Sequence, residues 1–157
     1  MLIPPAVLEF WNTFAATRLA DEQRFYESFA FGDSEALASE LAALVLSGVK
    51  CATTGAVWSY EAEGKRLPVP GDQSIVTNWA GEPLCVIETT RVDLVPFNEV
   101  SAEFAAVEGE GDGSLSYWME GHRRDIIREC SRAGRDFDES MLVACARFKV
   151  VYQPTAP

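Results

Sequence analysis

The stretch LVLSGVKCATTG, residues 44–55, contains the point at which the sequence changes from helical to strand patterning. Upstream of it, four apolar residues recur at helical spacing and predict a helix over residues 34–47: Leu37, Leu41, Leu44 and Val45. Asp33 is expected to be its N-cap, and Gly48 can adopt the left-handed conformation that ends helices. The chain is therefore predicted to turn sharply at Gly48 and to continue into the segment that begins at Lys50.

Two further helices are predicted before this stretch. Four residues after Pro5 lie on one face at helical spacing and predict the first helix: Val7, Phe10, Trp11 and Phe14. Residues 21–29 are predicted to form a second, shorter helix. Residues 1–24 are accordingly expected to be a helical extension packed on the main domain, which would span residues 25–152 and be followed by a tail at residues 153–157.

After residue 55 the sequence has mostly the pattern of strands. Residues 73–79, 84–93 and 142–152 predict strands, and Ala80-Gly81-Glu82 predicts a hairpin turn between the first two. One helix, predicted over residues 114–132, interrupts this β-rich part. Helices followed by hairpin-connected strands indicate an α+β fold, with a small mixed β-barrel and flanking helices, rather than a doubly wound parallel sheet.

The composition restricts the partners of the chain. It has 157 residues, the size of one ordinary domain, and a formal net charge of −11. Because phosphate contacts dominate nucleic-acid affinity, so acidic a surface is not expected to bind long duplex DNA. A local basic patch is still compatible with the sequence and would use six residues: Lys65, Arg66, Arg91, Arg123, Arg124 and Arg128.

The cysteines and the N-terminus indicate a cytoplasmic protein. No two of the four cysteines have C-x-x-C spacing, so all are predicted to be free thiols: Cys51, Cys85, Cys130 and Cys145. The first residues have neither a basic segment nor a long apolar run, so no signal peptide is expected. No stretch approaches the roughly 18 apolar residues of a membrane span, and no membrane partner is expected.

The acidic run EGEGDG, residues 108–113, has the alternating acids and the sixth-position glycine of a calcium loop. Met119 stands where the twelfth-position glutamate would be, so no metal is expected. The sequence also has no G-x-x-x-x-G-K-[ST] loop and no G-x-G-x-x-G motif after a strand, and no other cofactor is expected. The run predicts instead a shaped loop that brings carboxylates to a ligand, or a plain solvated acidic turn. His122, the only histidine, is interpreted as a hydrogen-bonded structural residue on the last helix.

Lys50 and Thr53 form the sharpest chemical signal in the sequence. A lysine three residues before a threonine, just past a helix end, can place an amine near a hydroxyl group. Threonine is a weak nucleophile unless a base takes its proton, and a lysine amine can be that base when it is deprotonated. The Lys-x-x-Thr spacing is commonplace, however, so it needs support from the surrounding sequence.

In combination, four segments of the sequence resemble the ASCH domain family. They are LVLSGVKCATTG, PGDQSIVTNWAGEPLCVIETTRVDLVPFNEV, AEFAAVEGEGDGSLSYWMEGHR and VACARFKVVY, within residues 25–152. The resemblance is greatest to a bacterial branch with the signature E-G-E-G-D…S-L-x-Y-W. It implies a PUA-like β-barrel, related to RNA-binding modules, with helices around it and a cleft beside the G-x-K segment.

The resemblance also implies a site. One small branch of the family hydrolyses the acetyl amide of acetylcytidine nucleosides with a lysine, a threonine three residues later and a glutamate. Lys50 and Thr53 match the first two positions, and Glu108 is the best match for the third, with Glu110 as the alternative. These residues would act as base, nucleophile and orienting acid or base, respectively.

Further residues are expected to contact a ligand in the cleft. Thr54 and Glu110 adjoin the catalytic candidates, and Trp58, Tyr60 and Trp79 lie in or near predicted strands, where their rings could stack on a cytosine. Core packing is the alternative role of each ring. The expected ligand is a nucleoside, a nucleotide or a short single-stranded RNA. The alternatives to a hydrolase are a non-catalytic RNA-binding or nucleotide-binding module and a ribonuclease.

Overall fold

The structure is a computed structural model that describes residues 3–17 and 22–154. Its five strands are β1 (Phe25–Phe29), β2 (Ala52–Ala56), β3 (Gln73–Thr77), β4 (Pro83–Pro96) and β5 (Leu142–Tyr152). Its five α-helices are α1 (Pro5–Thr17), α2 (Glu35–Leu46), α3 (Val57–Ala62), α4 (Ala102–Glu108) and α5 (Leu115–Arg132). Short 3₁₀ turns lie at Glu22–Arg24 and Phe97–Glu99.

The strands form one mixed sheet in the order β1-β3-β4-β5-β2. β1 runs parallel to β3, and the other neighbouring pairs are antiparallel. The α+β class is confirmed, but the sheet is not closed into the predicted barrel, because β1 and β2 each pair with a single neighbour among the described residues. The long strand β4 pairs with both β3 and β5 and contains register shifts, which bend a sheet locally.

The helices pack on this sheet through three apolar clusters. Each contains buried side chains from a helix and from the strand it covers. Around α1 they include Trp11, Phe14 and Ile75. Around α2 they include Val45, Val76 and Phe148. Around α4 and α5 they include Phe104, Trp118 and Val143. As a result α2, α4 and α5 converge near the edge strand β2, which follows the turn at residue 48.

The prediction of a helix over residues 21–29 is wrong, because Phe25–Phe29 form β1. The segment pairs with β3, which lies more than 40 residues further along the chain. Its aromatic rings favour an extended strand, since they pack on both faces of the sheet. The ring of Phe25 lies 5.1 Å from that of Trp11, and the ring of Phe29 lies 4.8 Å from that of Phe31.

The turn that begins the site forms as the sequence predicts. Gly48 has φ of +82°, and the N–H groups of Val49 and Lys50 donate to the carbonyl oxygen of Leu44. The N-cap of α2 is Ser34 rather than Asp33, because the Ser34 hydroxyl accepts the N–H of Leu37 at 3.2 Å. β5 has the predicted bounds, and α5 begins at Leu115 after its N-cap.

The predictions on thiols and on membrane spans concern features that the structure describes directly. All four cysteines are free, and Cys85, Cys130 and Cys145 are buried. In the described ranges, no helix combines the length and the apolar character that a membrane crossing needs.

Candidate functional site

Lys50 is a buried ammonium group between two carboxylates. The residue is 2% exposed, and its Nζ donates to the Ala52 carbonyl at 2.7 Å, to Glu108 Oε1 at 3.3 Å and to Glu110 Oε2 at 3.2 Å. The ring of Phe31 lies 5.2 Å from the same nitrogen. Because an ammonium group has three N–H donors and no acceptor, these contacts use its whole hydrogen-bonding capacity. In this arrangement Lys50 is a donor rather than a base.

Glu108, the last residue of α4, accepts hydrogen bonds on both carboxylate oxygens. Oε2 accepts from the Thr54 hydroxyl at 2.9 Å and from Trp118 Nε1 at 2.6 Å. Oε1 accepts from Lys50 and lies 3.0 Å from His122 Nε2. Burial by itself would raise the pKa of Glu108, but the charges of Lys50 and His122 hold that pKa well below its usual range. The carboxylate is therefore ionised and fully coordinated.

His122 is protonated on both ring nitrogens in this network. Its ring stacks on Trp118 at 4.1 Å, and Nδ1 lies 2.9 Å from the Trp118 carbonyl oxygen, which only accepts. Nε2 then donates to the ionised Glu108. Burial lowers the pKa of His122, but the hydrogen bond and charge of Glu108 outweigh it and raise the pKa above its ordinary value. The predicted hydrogen-bonded histidine is confirmed, and its side chain also lines the cleft described below.

Glycines shape the loop over residues 108–114. Gly109 ends α4 with φ of +69°, and a Cβ there would lie 2.3 Å from the Val49 carbonyl oxygen. Gly111 has φ of +59°, and a Cβ there would lie 2.4 Å from the ring of Tyr117. Because only glycine fits such left-handed positions in close contact, the loop is a shaped one rather than a freely solvated turn.

This loop holds Glu110 against Lys50 at the edge of the site. The Glu110 side chain is 21% exposed, whereas that of Glu108 is 2% exposed. Burial raises the pKa of Glu110, the charge of Lys50 lowers it, and the neighbouring negative charge of Glu108 raises it again, so that the pKa ends above its ordinary value. Of the two acids, Glu110 is the one that reaches the open side.

Glu108, Glu110 and His122 each offer one ligand atom, and these atoms lie within 4.8 Å of one another. Such a group could in principle surround a metal ion. However, the Lys50 ammonium lies 3.2–3.3 Å from both carboxylates and already supplies their positive counter-charge. A metal ion would have to displace Lys50, so the geometry does not favour one.

The two threonines of β2 have different surroundings. Thr54 donates to Glu108, whereas the hydroxyl of Thr53 has no hydrogen bond to any part of the chain that the structure describes. Successive strand residues point to opposite faces, which explains why only one threonine reaches Glu108. Both nevertheless line a cleft of about 160 Å³ beside Lys50. Its walls include Phe31, Leu41, Lys50, Glu108, Glu110 and His122.

The predicted stacking residues are not gathered together. Trp58 and Tyr60 lie in the short helix α3, which directly follows β2, so they are near a strand, as predicted, rather than in one. Trp58 packs on the apolar cluster around α4 and α5, and the Arg135 guanidinium lies 4.6 Å from the centroid of the Trp58 ring. Tyr60 lies against Gly55, which lines the cleft. Trp79 is 49% exposed in the turn between β3 and β4.

The six basic residues of the predicted patch are each paired with an acid. The partners are Glu27 for Lys65, Asp72 for Arg66, Asp93 for Arg91, Glu139 for Arg123, and Asp125 for Arg124 and Arg128. Within the described ranges these residues therefore do not form an unneutralised basic surface.

Trp118 and Thr54 are site residues whose contacts with Glu108 were not anticipated. The sequence does indicate that Trp118 and His122 lie on one face of α5, because they are four residues apart. Nothing in the local sequence indicates that this face meets the end of α4. Glu108 is buried because the end of α4 packs against this face of α5.

The sequence model of the ASCH domain matches residues 27–152. The structure is similar to the crystal structure of an ASCH domain from Lactobacillus crispatus JV V101, with a TM-score of 0.87 and 36% identity over 96% of this chain and 97% of that one. It is also similar to a protein from Enterococcus faecalis V583 classed in the family DUF984, with a TM-score of 0.85 and 35% identity over 93% and 88%.

A search of curated proteins found no significant match. The family assignment therefore comes from the sequence model and the solved structures, which indicate the same family. By both criteria the chain belongs to the ASCH domain family, whose PUA-like fold is associated with RNA binding.

Proposed function

We propose that this protein hydrolyses the acetyl amide of an acetylcytidine-type nucleoside in the cleft beside Lys50. The observation that carries the proposal is the position of Thr53, which lines the same cleft as a buried ammonium and two coupled carboxylates and whose hydroxyl has no hydrogen bond within the described ranges. Amide hydrolysis needs a nucleophile, a proton carrier and a donor for the developing oxyanion. The residues around this cleft offer one group for each role.

The contacts of each side chain suggest its role. Lys50 has no free lone pair, so it is assigned to charge stabilisation and not to proton abstraction. Glu108 is occupied by four donors, so it is a positioning residue that orients Lys50. Glu110 is the more exposed acid, and its raised pKa suits a group that takes up and returns a proton.

In the proposed reaction, the Thr53 oxygen attacks the acetyl carbonyl carbon while its proton passes to the Glu110 carboxylate. The C–N bond then breaks, and Glu110 returns the proton to the departing amine nitrogen, which leaves cytidine and an acetyl ester on Thr53. Water attacks the ester carbonyl, and Glu110 transfers the water proton to the Thr53 oxygen. Acetic acid is released, and Thr53 and Glu110 return to their starting forms.

The size of the cleft restricts how a substrate enters. At about 160 Å³ it is smaller than the roughly 300–1,000 Å³ of pockets that enclose a drug-sized ligand. It suits the acetyl amide end of a substrate, with the rest of the nucleoside outside. Tyr60, which lies against Gly55 at the cleft wall, is the ring best placed to contact the base.

The alternative of binding without chemistry uses the same cleft and the same family association with RNA. The net charge of −11 and the acid partners of the six basic residues weigh against long RNA as the ligand. A ribonuclease is less well supported, because the two carboxylates beside Lys50 would repel a negatively charged phosphate, whereas an acetyl amide is neutral.

The two adjacent threonines provide the decisive experiment. Thr53→Ala should lower single-turnover cytidine release from acetylcytidine about 10²-fold or more, since it removes the nucleophile, and should leave the free energy of unfolding nearly unchanged. Thr54→Ala should retain most of the activity but lose about 1 kcal/mol of stability with its bond to Glu108. Wild-type protein that releases no cytidine at stoichiometric enzyme would remove the hydrolase and leave the binding module.

A further inference from the structure

A second cavity of about 420 Å³ lies at the other end of α4 and shares no lining residue with the cleft. It is bounded by β4, β5 and the start of α4, including Arg91, Phe104, Cys145 and Arg147. The cleft contains Glu108 at the last residue of α4, whereas this cavity contains Glu103 near its first residue. A helix of this length spans about 10 Å, so the two sites are close neighbours.

Two arginines on neighbouring strands line this cavity. Arg91 of β4 is the direct cross-strand partner of Arg147 of β5, at a register shift between Thr89 and Arg91. Like charges directly opposite one another destabilise a sheet, by a few tenths to about 1 kcal/mol. An arrangement that opposes folding in this way is expected at a place where a negative group binds between the two side chains.

Arg147 also has an unused donor. Its Nε is buried and has no hydrogen-bond partner in the described part of the chain. Among the described residues, its terminal nitrogens form hydrogen bonds only with Glu103, at 3.4–3.5 Å, and the Glu103 side chain is 78% exposed. Such an exposed pair is weak and easily exchanged for another anion. A phosphate oxygen could accept from Nε and from one terminal nitrogen together, the forked geometry that arginine favours.

Acidic residues also line the cavity, and they limit the kind of ligand. Asp93 is paired with Arg91 at 2.8 Å, and Glu99 is exposed at the rim together with Glu103. A long polyanion would meet all these carboxylates, whereas one phosphate group needs to displace only Glu103 and to share Arg91 with Asp93, which contacts Arg91 through Nε. We propose that this cavity binds a single phosphate group, as carried by a nucleotide or by a short RNA strand, between Arg91 and Arg147.

The test is a titration followed by NMR through the Nε–H resonance of Arg147, in the absence of any acetylated substrate. Inorganic phosphate, cytidine 5′-monophosphate and a short single-stranded RNA are added separately at constant ionic strength, with chloride as the balancing anion. At least one of them should move the resonance saturably. Movement by the first two alone identifies a free or terminal phosphate, and movement by the RNA alone identifies a backbone phosphate.

Three variants establish which residues bind. Arg91→Gln should weaken the binding about tenfold, since it removes a charged hydrogen-bond donor. Glu103→Gln should strengthen it, because the competing carboxylate is gone. Arg124→Gln is the matched control: it removes an exposed arginine of α5 that pairs with Asp125 outside the cavity, and it should change nothing.

The proposal is overturned if none of the three anions moves the Arg147 resonance, or if Arg91→Gln and Arg124→Gln weaken binding equally. The latter result would indicate nonspecific charge. The thermal midpoint of Arg91→Gln, measured separately, shows whether the substitution also destabilises the fold. Because no turnover is measured, the outcome is independent of whether the cleft hydrolyses acetylcytidine.

Discussion

At the scale of single residues, Glu108 is the side chain on which the candidate site depends. It is buried, it is ionised, and it accepts from four side chains that come from different parts of the sequence. A buried charge is tolerated only when it is paired and hydrogen-bonded, and Lys50 and His122 provide the pairing. Its partners in turn depend on Glu108, since each of them is itself largely buried.

Glu108→Gln is therefore expected to destabilise the protein by about 3–5 kcal/mol, because a neutral amide leaves buried positive charges without their partner. The amide oxygen can accept from only part of the four donors, so hydrogen bonds are lost as well. Glu110→Gln is the control: the Glu110 side chain is more exposed, so this substitution should lower the free energy of unfolding much less. Equal free energies of unfolding for the two variants, measured by urea denaturation, would contradict this account.

At the scale of secondary structure, the loop between α4 and α5 determines where the two acids lie. Gly109 ends α4 in a left-handed conformation directly against the backbone of Val49, so the loop is anchored to the turn that carries Lys50. Ser114 then caps α5 by accepting the N–H of Tyr117 at 3.1 Å. Close contacts therefore account for two of the alternating glycines: Gly109 lies against the Val49 backbone and Gly111 lies against the ring of Tyr117.

Two alanine substitutions in this loop distinguish the cost of the left-handed backbone conformation from the cost of a steric clash. Gly113→Ala meets no atom within 4 Å and should cost only the left-handed conformation, about 1–2 kcal/mol. Gly109→Ala has the same backbone strain, and its Cβ would also lie 2.3 Å from the Val49 carbonyl oxygen. We expect a further loss of about 1–3 kcal/mol from this overlap. Thermal denaturation that ranks the two variants equally would show that the contact with Val49 is unimportant.

At the scale of the whole molecule, the network of Lys50, Glu108, Glu110 and His122 links stability to pH. His122 has a raised pKa in the folded state, so its contribution is fully present below the unfolded value of 6.5 and is lost as pH rises through the folded value. The lowered pKa of Glu108 has the opposite effect: its contribution is present above the unfolded value of 4.5 and is lost as pH falls through the folded value.

The free energy of unfolding should therefore decline as pH rises above about 6.5, and His122→Gln should flatten this decline. The raised pKa of Glu110 acts in the same direction as that of His122, so Glu110→Gln is the control that separates the two groups. Urea denaturation across the pH range is the measurement. A wild-type stability that stays constant or rises through this range would contradict the protonated state assigned to His122.

The distribution of charge over the whole molecule predicts its behaviour with polyanions. The protein has a net charge of −11, and each of the six residues of the predicted basic patch lies beside an acid. We therefore expect no binding of long duplex DNA at physiological salt. Fluorescence anisotropy with a labelled duplex is the measurement. Sub-micromolar affinity that falls steeply with salt would show that an unneutralised basic surface exists.

Much of this architecture could be read from local sequence. The periodicity of α1, α2 and α5 and the alternation of β5 are local properties, and the bounds predicted for α2, α5 and β5 agree with the observed ones within one residue. Four sequence segments in combination, from the Lys50 turn to the closing strand, were sufficient to predict the family, which the comparisons confirm. Local steric rules also predicted the glycine turn that precedes Lys50.

What only the tertiary structure decided were the pairings between distant segments. Phe25–Phe29 became a strand because β3 pairs with it, and the sheet remained open because β1 and β2, as far as the structure describes the chain, do not pair. Thr54 and Trp118 became partners of Glu108 because three separate elements meet at one buried carboxylate. The sequence by itself determined the residue types and the local elements, whereas hydrogen bonds between remote segments determined which of those residues form the site, since periodicity contains no information about long-range contacts.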